Sequence, residues 1–524
     1  VAWIVLTCLY GINTLAVLAI AIANVHRPMH ALTWVMIGVV LPLVGPILYL
    51  LLNRPLPMDR TSRPRARSSN SLGSLGAGSA SGSLDGGVPS VALAVERRTG
   101  CPAKPGDVQV LVNGRPTYAA LFKALQAAER SIDVEYYIYR DDAIGRQMTE
   151  ILKERAAAGV RVRFMVDGMG SRKFPRAELR RMQASGIDCR IFFPLRFPWL
   201  RPTLNHRDHC KIVVVDGAQS FVGGINVGYE YTGLKPGVGW WRDTHLKLTG
   251  ACVPDIMAVF ERNWSIATPV HARGAIRQRP QPASSERGAA ARPARLAGVR
   301  WAGGSGVSAA AAWGLDGEWS EELATDPSSR PVEPQEKLMV SRHALVQTID
   351  SRPSSHVQTA HDVFFLCVST AANTVDVTTP YFVPSPAITH ALKTAVARGV
   401  RVRLLVPASP DHKMIGLASH TYFGDLLDAG VEIYQYQKGL LHTKVMTVDG
   451  QIAFVGAANM DLRSFRLNFE VGELLYSEAI ASDLTSQFET DLQDARRLTQ
   501  AMLAERPWFG RVTDRCARLL APLL

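Results

Sequence analysis

Seven cysteines are scattered through the 524 residues, odd in number and with no Cys-x-x-Cys. A disulfide framework is therefore excluded as the basis of the fold, and a zinc site is disfavoured. No Gly-rich loop of the kind that cradles nucleotide phosphates occurs either, so nucleotide chemistry is not expected. Charge is missing from two long stretches: Val1 to Asn24 and Ala31 to Leu52 contain no Asp, Glu, Lys or Arg. Uncharged apolar runs of that length are rare in soluble cores and long enough to cross a bilayer as helices. With six residues between them, the expectation is a two-helix transmembrane hairpin over 1–52. No basic n-region precedes the first run, which argues against a cleaved signal peptide.

Acidic residues are scarce just beyond. Arg54, Arg60, Arg63, Arg65 and Arg67 stand against Asp59 alone. Basic residues beside a span mark the cytoplasmic side, so both ends of the hairpin are expected there. The net charge of +12 points to polyanionic partners, nucleic acid or an anionic lipid surface, and composition does not choose between them. Residues 53–107, rich in Arg and then in Ser and Gly, read as a linker. Residues 267–337, rich in Ala, Arg, Gly, Pro and Ser, read as a low-complexity insert.

Between and after these lie two stretches, 108–266 and 338–524, that repeat one order of elements. Asp133 and Asp376 are 243 apart, Gly159 and Gly399 240, Gly186 and Gly430 244, and His209 and His442 233. A nearly constant offset indicates a duplicated unit. Strands alternating with helices then predict an α/β fold of two α-β-α sandwich halves with mostly parallel sheets. The shorter last offset reflects a longer loop in the first half, 194–202, where Phe197 and Trp199 mix with arginines. Such a loop either dips into lipid headgroups or simply packs on its aromatics.

The repeat carries one chemical pattern twice. His209, Lys211 and Asp216 precede Gly217 and Asn226; His442, Lys444 and Asp449 precede Gly450 and Asn459. Residues two apart on a strand share a face, so each His and Lys point together. Asp-Gly reads as a hairpin turn that returns each Asn to the level of its His and puts each Asp at the far end, as a turn stabiliser. One such His-x-Lys is more often structural than catalytic; two complete copies are hard to obtain by accident. Cys210 lies within the first copy, but Thr443 fills its place in the second, so a catalytic thiol is not expected. Two lysines and two asparagines suit the oxygens of a phosphodiester. Two imidazoles supply a nucleophile and a general acid. A neighbouring carboxylate would separate their pKa values, and Asp243 and Glu470 are candidates, an ordinary ion pair being the alternative for each.

These residues resemble the HKD motifs of the phospholipase D superfamily, over roughly 108–266 and from 338 on. Thr379-Pro380-Tyr381-Phe382-Val383-Pro384, Gly456 to Phe465, and Leu467 to Glu470 are most similar to the bacterial cardiolipin synthase family. The resemblance implies exchange of one phosphodiester for another, two phosphatidylglycerols giving cardiolipin and glycerol, through a phosphohistidine and without metal or other cofactor. Carried over by position, His209, Lys211, Asp216, His442, Lys444 and Asp449 are the active-site residues and Asn226 and Asn459 bind phosphate. Sequence symmetry leaves the nucleophile open; analogy favours His209, with His442 as acid. The implied partners are phosphatidylglycerol and anionic membrane lipids, with no nucleic acid, and the implied place is a bacterial inner membrane with the catalytic part on its cytoplasmic side. A hydrolase or another head-group transphosphatidylase, a nuclease of the same superfamily, and a non-enzymatic lipid-binding scaffold are the rival readings.

Overall fold

In a computed structural model the described residues are 2–23, 28–52, 88–194, 205–270, 339–353 and 357–520. The chain divides into two units, 1–269 with 334–524, and 270–333. Every helix and strand among the described residues belongs to the first unit. The aromatic loop at 194–202 (Pro194 apart), the arginine cluster at 54–67 and most of the 267–337 insert lie outside the described residues.

The apolar N-terminal stretch forms α1 (Ala2–Ala23), α2 (Pro28–Val40) and α3 (Val44–Leu52). Among the described residues α1 alone is long and apolar enough to cross a membrane, over Trp3–Ile22. The expected second span is not one helix. It breaks at Leu41-Pro42-Leu43, where proline supplies no N–H and Leu43 takes a left-handed φ of 67°. Beyond the break α3 folds back along α2: a Cβ on Gly45 would meet Gly38 Cα at 2.6 Å, and the Trp34 and Tyr49 rings pack edge to face at 5.5 Å. The side chain of Asn13, buried in mid-α1, holds the arrangement. Its Nδ2 donates to Gly38 O at 3.2 Å, and its Oδ1 accepts from Leu43 N at 2.8 Å. Two glycines that permit close approach and one buried amide thus turn an apolar run into a helical hairpin.

Part of the stretch read as linker is also ordered. The helix α4 (Val88–Thr99) packs Val91 and Val95 into the core beside Val363 and Cys367. Apolar residues at 91 and 95, four apart, carry that amphipathic signal, and the preceding Gly/Ser composition masked it.

The strands that position the site are β1 (Lys104–Val112), β2 (Ser131–Tyr136), β3 (Arg161–Asp167), β4 (Asp188–Phe192), β5 (Lys211–Val215), β6 (Gln219–Gly223) and β7 (Thr244–Gly250). They are followed by β8 (Arg342–Ser351), β9 (Thr374–Thr378), β10 (Arg401–Pro407), β11 (Glu432–Tyr436), β12 (Val445–Val448), β13 (Ile452–Gly456) and β14 (Asn468–Tyr476). Their hydrogen-bonded order is β4-β3-β2-β5-β6-β7-β1-β8-β14-β13-β12-β9-β10-β11. The order reads as the same pattern outward in both directions from the β1–β8 pair. The last three strands of this order at each end are parallel, β4-β3-β2 and β9-β10-β11, and its other pairs are antiparallel, as are the short edge strands Thr268–Pro269 on β4 and Ala495–Arg497 on β11. The sheet is therefore mixed, not mostly parallel. Alternation of strand and helix marks only the parallel part, whereas each Asp-Gly hairpin adds antiparallel neighbours.

Buried ion pairs repeat as well. Arg163 binds buried Asp133 at 2.6 Å and Arg403 binds buried Asp376 at 2.6 Å, and each guanidinium also reaches a half-exposed glutamate, Glu261 at 2.7 Å and Glu489 at 2.5 Å. Each joins adjacent parallel strands to a covering helix. Removing one partner would leave a buried charge uncompensated.

Candidate active site

The two hairpins are built as their sequences imply. In β5–β6, Ile212 lies opposite Val222 and Val215 opposite Gln219; in β12–β13, Val445 lies opposite Val455 and Val448 opposite Ile452. Asp216 and Asp449 take left-handed φ values of 54° and 53° at the turns, each followed by a left-handed glycine. Their carboxylates accept backbone N–H groups. Asp216 takes those of Glu129, Arg130 and Ser131 at 2.7–3.0 Å, and Asp449 those of Ala372, Asn373 and Thr374 at 2.7–2.8 Å. Each ties the hairpin turn to the start of β2 or β9. Seven residues of extended chain, about 3.3 Å each, separate Asp216 from His209. Neither aspartate is brought to the imidazoles.

His209, Lys211, His442 and Lys444 are brought together and are all buried. The short strand Arg207–Asp208 pairs with the start of β14 at Asn468–Phe469, and Leu440–Leu441 pairs with Trp241–Arg242. The backbone follows suit: His209 N donates to Phe469 O at 2.9 Å and His442 N to Arg242 O at 2.8 Å. Each motif is thus held by the strand that carries the other half's carboxylate. His209 Nδ1 lies 2.9 Å from Glu470 Oε2, and His442 Nδ1 lies 2.7 Å from Asp243 Oδ2. With each Nδ1 hydrogen donated to a carboxylate, Nε2 is the nitrogen left for chemistry.

The lysines sit on the same face. Lys211 Nζ donates to His209 O at 2.6 Å, and Lys444 Nζ donates to His442 O and lies 2.9 Å from His442 Nδ1. Burial lowers both ammonium groups, Lys211 to about 8 and Lys444 to about 7, against the pull of nearby carboxylates. Two such cations in a dry site favour an anion between them.

The electrostatics are not symmetric. Burial, then Lys211 and Lys444, push the His209 imidazole well below its ordinary value. Burial likewise raises Glu470 to about 7 despite Lys211, so this pair tends to neutral partners. At the other pair burial would raise Asp243, yet His442 and Lys444 outweigh it and hold the carboxylate below its usual range. His442 is lowered by burial and Lys444 while Asp243 pulls it back up. An ionised Asp243 favours a charged imidazole at 442, and a half-neutral Glu470 favours a neutral one at 209.

The asparagines differ from each other in how far their amides are taken up. Both fall at the open ends of the hairpins, but Asn226 Oδ1 accepts from Ile138 N at 3.1 Å and its Nδ2 donates to Tyr231 Oη at 3.0 Å. It braces the loop after β2. Asn459 has its Nδ2 3.4 Å from Ser464 Oγ. Sequence reasoning missed the aromatic walls: Tyr137 packs edge-on to His209 at 5.0 Å, and Trp241 lies 5.5 Å from the His442 ring. Tyr137 lies in the aromatic run Tyr136–Tyr139 at the end of β2, and Trp241 stands two residues before Asp243, so position relative to the motifs was the available signal. Gly224 is required by contact: a Cβ there would strike Asp243 Oδ1.

Behind the first motif, Glu135, Asp208 and Cys210 place potential ligand atoms within 4.8 Å of one another, all buried. Burial pushes Glu135 well up and raises Asp208 to about 7, so a proton shared between the carboxyls accounts for the pair. Asn263 Nδ2 donates to Glu135 Oε1 at 2.7 Å.

The arrangement matches known proteins. Residues 121–239 and 367–492 match the family model described as "Cardiolipin synthase, PLD-like domain". The chain is 34% identical over 514 residues to a cardiolipin synthase of Halalkalibacterium halodurans, covering 97% of this chain and 91% of that one. It is 33% identical over 525 residues to one of Geobacillus kaustophilus, covering 97% and 91%. The fold is similar to that of a phosphatidylserine synthase from Haemophilus influenzae, with a TM-score of 0.57 and 14% identity over 83% of this chain and all of that one. Similarity at that level over nearly the whole length, on a chain that brings both histidines and both lysines together, establishes that the chain belongs to the cardiolipin synthase family, enzymes of the phospholipase D superfamily.

Proposed function

We propose that the chain is a membrane-anchored transphosphatidylase that condenses two phosphatidylglycerols into cardiolipin and glycerol, using one active site built by two copies of a single unit. The crossed pairing of each histidine with the other half's carboxylate carries this reading, because it couples the halves and sets their imidazoles apart in charge. His209 Nε2 attacks phosphorus of the first phosphatidylglycerol. The P–O bond to the terminal glycerol breaks, and His442 gives that oxygen its proton. Lys211 and Lys444 neutralise the phosphoryl oxygens as charge builds. His442, now neutral, takes the proton of a second phosphatidylglycerol's hydroxyl. That oxygen attacks phosphorus and displaces His209, releasing cardiolipin. One phosphodiester replaces another, so no nucleotide is required.

Membrane placement makes the lipid hydroxyl, not water, the second nucleophile, through local concentration and partial dehydration. We assign the crossing to α1 and treat α2–α3 as a re-entrant pair. The chain then leaves α3 on the side where it leaves α1, and the arginines beyond Leu52 put that side in the cytoplasm. This replaces the two-span topology and places the start of α1 on the opposite side.

The test is product analysis of purified protein in phosphatidylglycerol vesicles. Cardiolipin with equimolar glycerol is expected; phosphatidic acid as the dominant product would establish the hydrolase instead.

A further inference from the structure

The helix α5 (Lys413–Asp428) begins two residues after Asp411, whose Oδ1 accepts from Tyr381 Oη at 2.7 Å and whose charge acts on His442. Against α5 lies α6 (Trp508–Leu520). One face of α6 is fixed. Ala517 is buried with Ala418 and Val383, and Leu462, three residues after Asn459, joins the same cluster. Asp514 pairs with Arg506 at 3.1 Å and with His420 at 3.7 Å, and the Arg518 guanidinium lies 4.4 Å over the Tyr422 ring.

The opposite face packs against nothing described. Trp508 is 72% exposed, Phe509 60% and Val512 47%, and Cys516 is exposed. At about 100° per residue these four fall within roughly 100° of one another. Arg511 and Arg515, both exposed, flank the same stripe on one side. An apolar stripe with two aromatics at one end and arginines along its edge is the pattern of a helix lying in a membrane interface.

We propose that α6 docks flat on an anionic bilayer and holds the neighbouring active site close to the lipid headgroups. Charge complementarity selects this occupant: two exposed arginines border the stripe in a chain of net charge +12. Continuity with the site supports it, since α6 is seated on Leu462 and on the helix that follows Asp411. The inference rests on the membrane reading above and adds a second contact to that made by α1.

The experiment uses the full chain in vesicles of phosphatidylglycerol and phosphatidylcholine, with a nitroxide on Cys516 in a Cys8→Ser, Cys101→Ser background. Phe509→Cys and Val512→Cys (each with Cys516→Ser) report two further stripe positions, and Glu505→Cys an aqueous one. All three stripe positions are expected to be more accessible to oxygen than to a nickel chelate, unlike position 505. Nickel accessibility equal to that at 505 would overturn the proposal. So would dipolar broadening at 516 that vanishes on dilution with unlabelled protein, which would put a second copy on this face. The readout needs no turnover and therefore fails independently of the cardiolipin assay. In addition, Trp508→Glu/Phe509→Glu/Val512→Glu is expected to raise KM for phosphatidylglycerol in vesicles at least tenfold and to leave turnover of detergent-dispersed substrate unchanged; equal effects on both would count against docking.

Discussion

His442 Nδ1 and Asp243 Oδ2 lie 2.7 Å apart although 199 residues separate them in the chain. Asp243 holds the imidazole by its Nδ1 hydrogen and favours its protonated form. Asp243→Asn is expected to cut kcat by about 10²–10⁴, the usual worth of a positioned acid. It should also move the alkaline limb of the kcat profile to lower pH, because the variant loses the charge that raises His442. An unshifted limb in a variant of normal thermal stability would contradict this role.

Gly224 stands under the same carboxylate. Gly224→Ala puts a methyl group where Asp243 Oδ1 lies and displaces it. We expect at least a hundredfold loss of kcat in the folded fraction and, since overpacking a buried site costs about 1–3 kcal/mol, a lowered melting temperature, measured by activity alongside calorimetry. Normal turnover would show that the close approach is dispensable.

The turn aspartates should behave differently. Asp216 accepts three backbone N–H groups far from the imidazoles. Asp216→Ala is expected to cost about 1 kcal/mol of stability, the net worth of a hydrogen bond whose donors water can reach, while the folded fraction keeps its kcat. Burial alone would raise this carboxyl, but the three donors and Arg130 hold it below its usual range. Its stabilisation is therefore present above the unfolded value and is lost as pH falls through the folded one. A variant with normal melting behaviour and no activity would return Asp216 to the chemistry.

Burial lowers Lys211 to about 8 and Lys444 to about 7. On the proposed mechanism an anionic headgroup binds their charged forms, so KM for phosphatidylglycerol should rise as pH passes from 7 through 8 and the ammonium groups lose their protons. Initial rates across pH 6 to 9 check this. A flat KM over that range would contradict it.

Much of this was legible from the chain because it is local. His-x-Lys spacing on a strand, the Asp-Gly turn and the returning Asn fix each hairpin within about eighteen residues, and near-constant offsets pair the hairpins. The two carboxylates, Asp243 and Glu470, were legible as candidates, but not which histidine each one serves. Asp243 and Glu470 follow the motifs of their own halves, and only the pairing of Leu440–Leu441 with Trp241–Arg242, and of Arg207–Asp208 with β14, crosses them over. Hydropathy of 31–52 could not show the break at Pro42, since the contacts that shape it come from Asn13 in α1 and from glycine packing. The antiparallel half of the sheet was hidden for a similar reason: alternation reports which elements exist, not which edges they join.

The most direct measurement uses a donor that needs no acid, phosphatidyl-p-nitrophenol, with two variants. His442→Asn should release a stoichiometric burst of p-nitrophenol and leave an acid-labile phosphatidyl adduct on the peptide containing His209, while His209→Asn gives neither. A burst from His209→Asn with the adduct on His442, or a burst from neither, would contradict the assignment of nucleophile and acid.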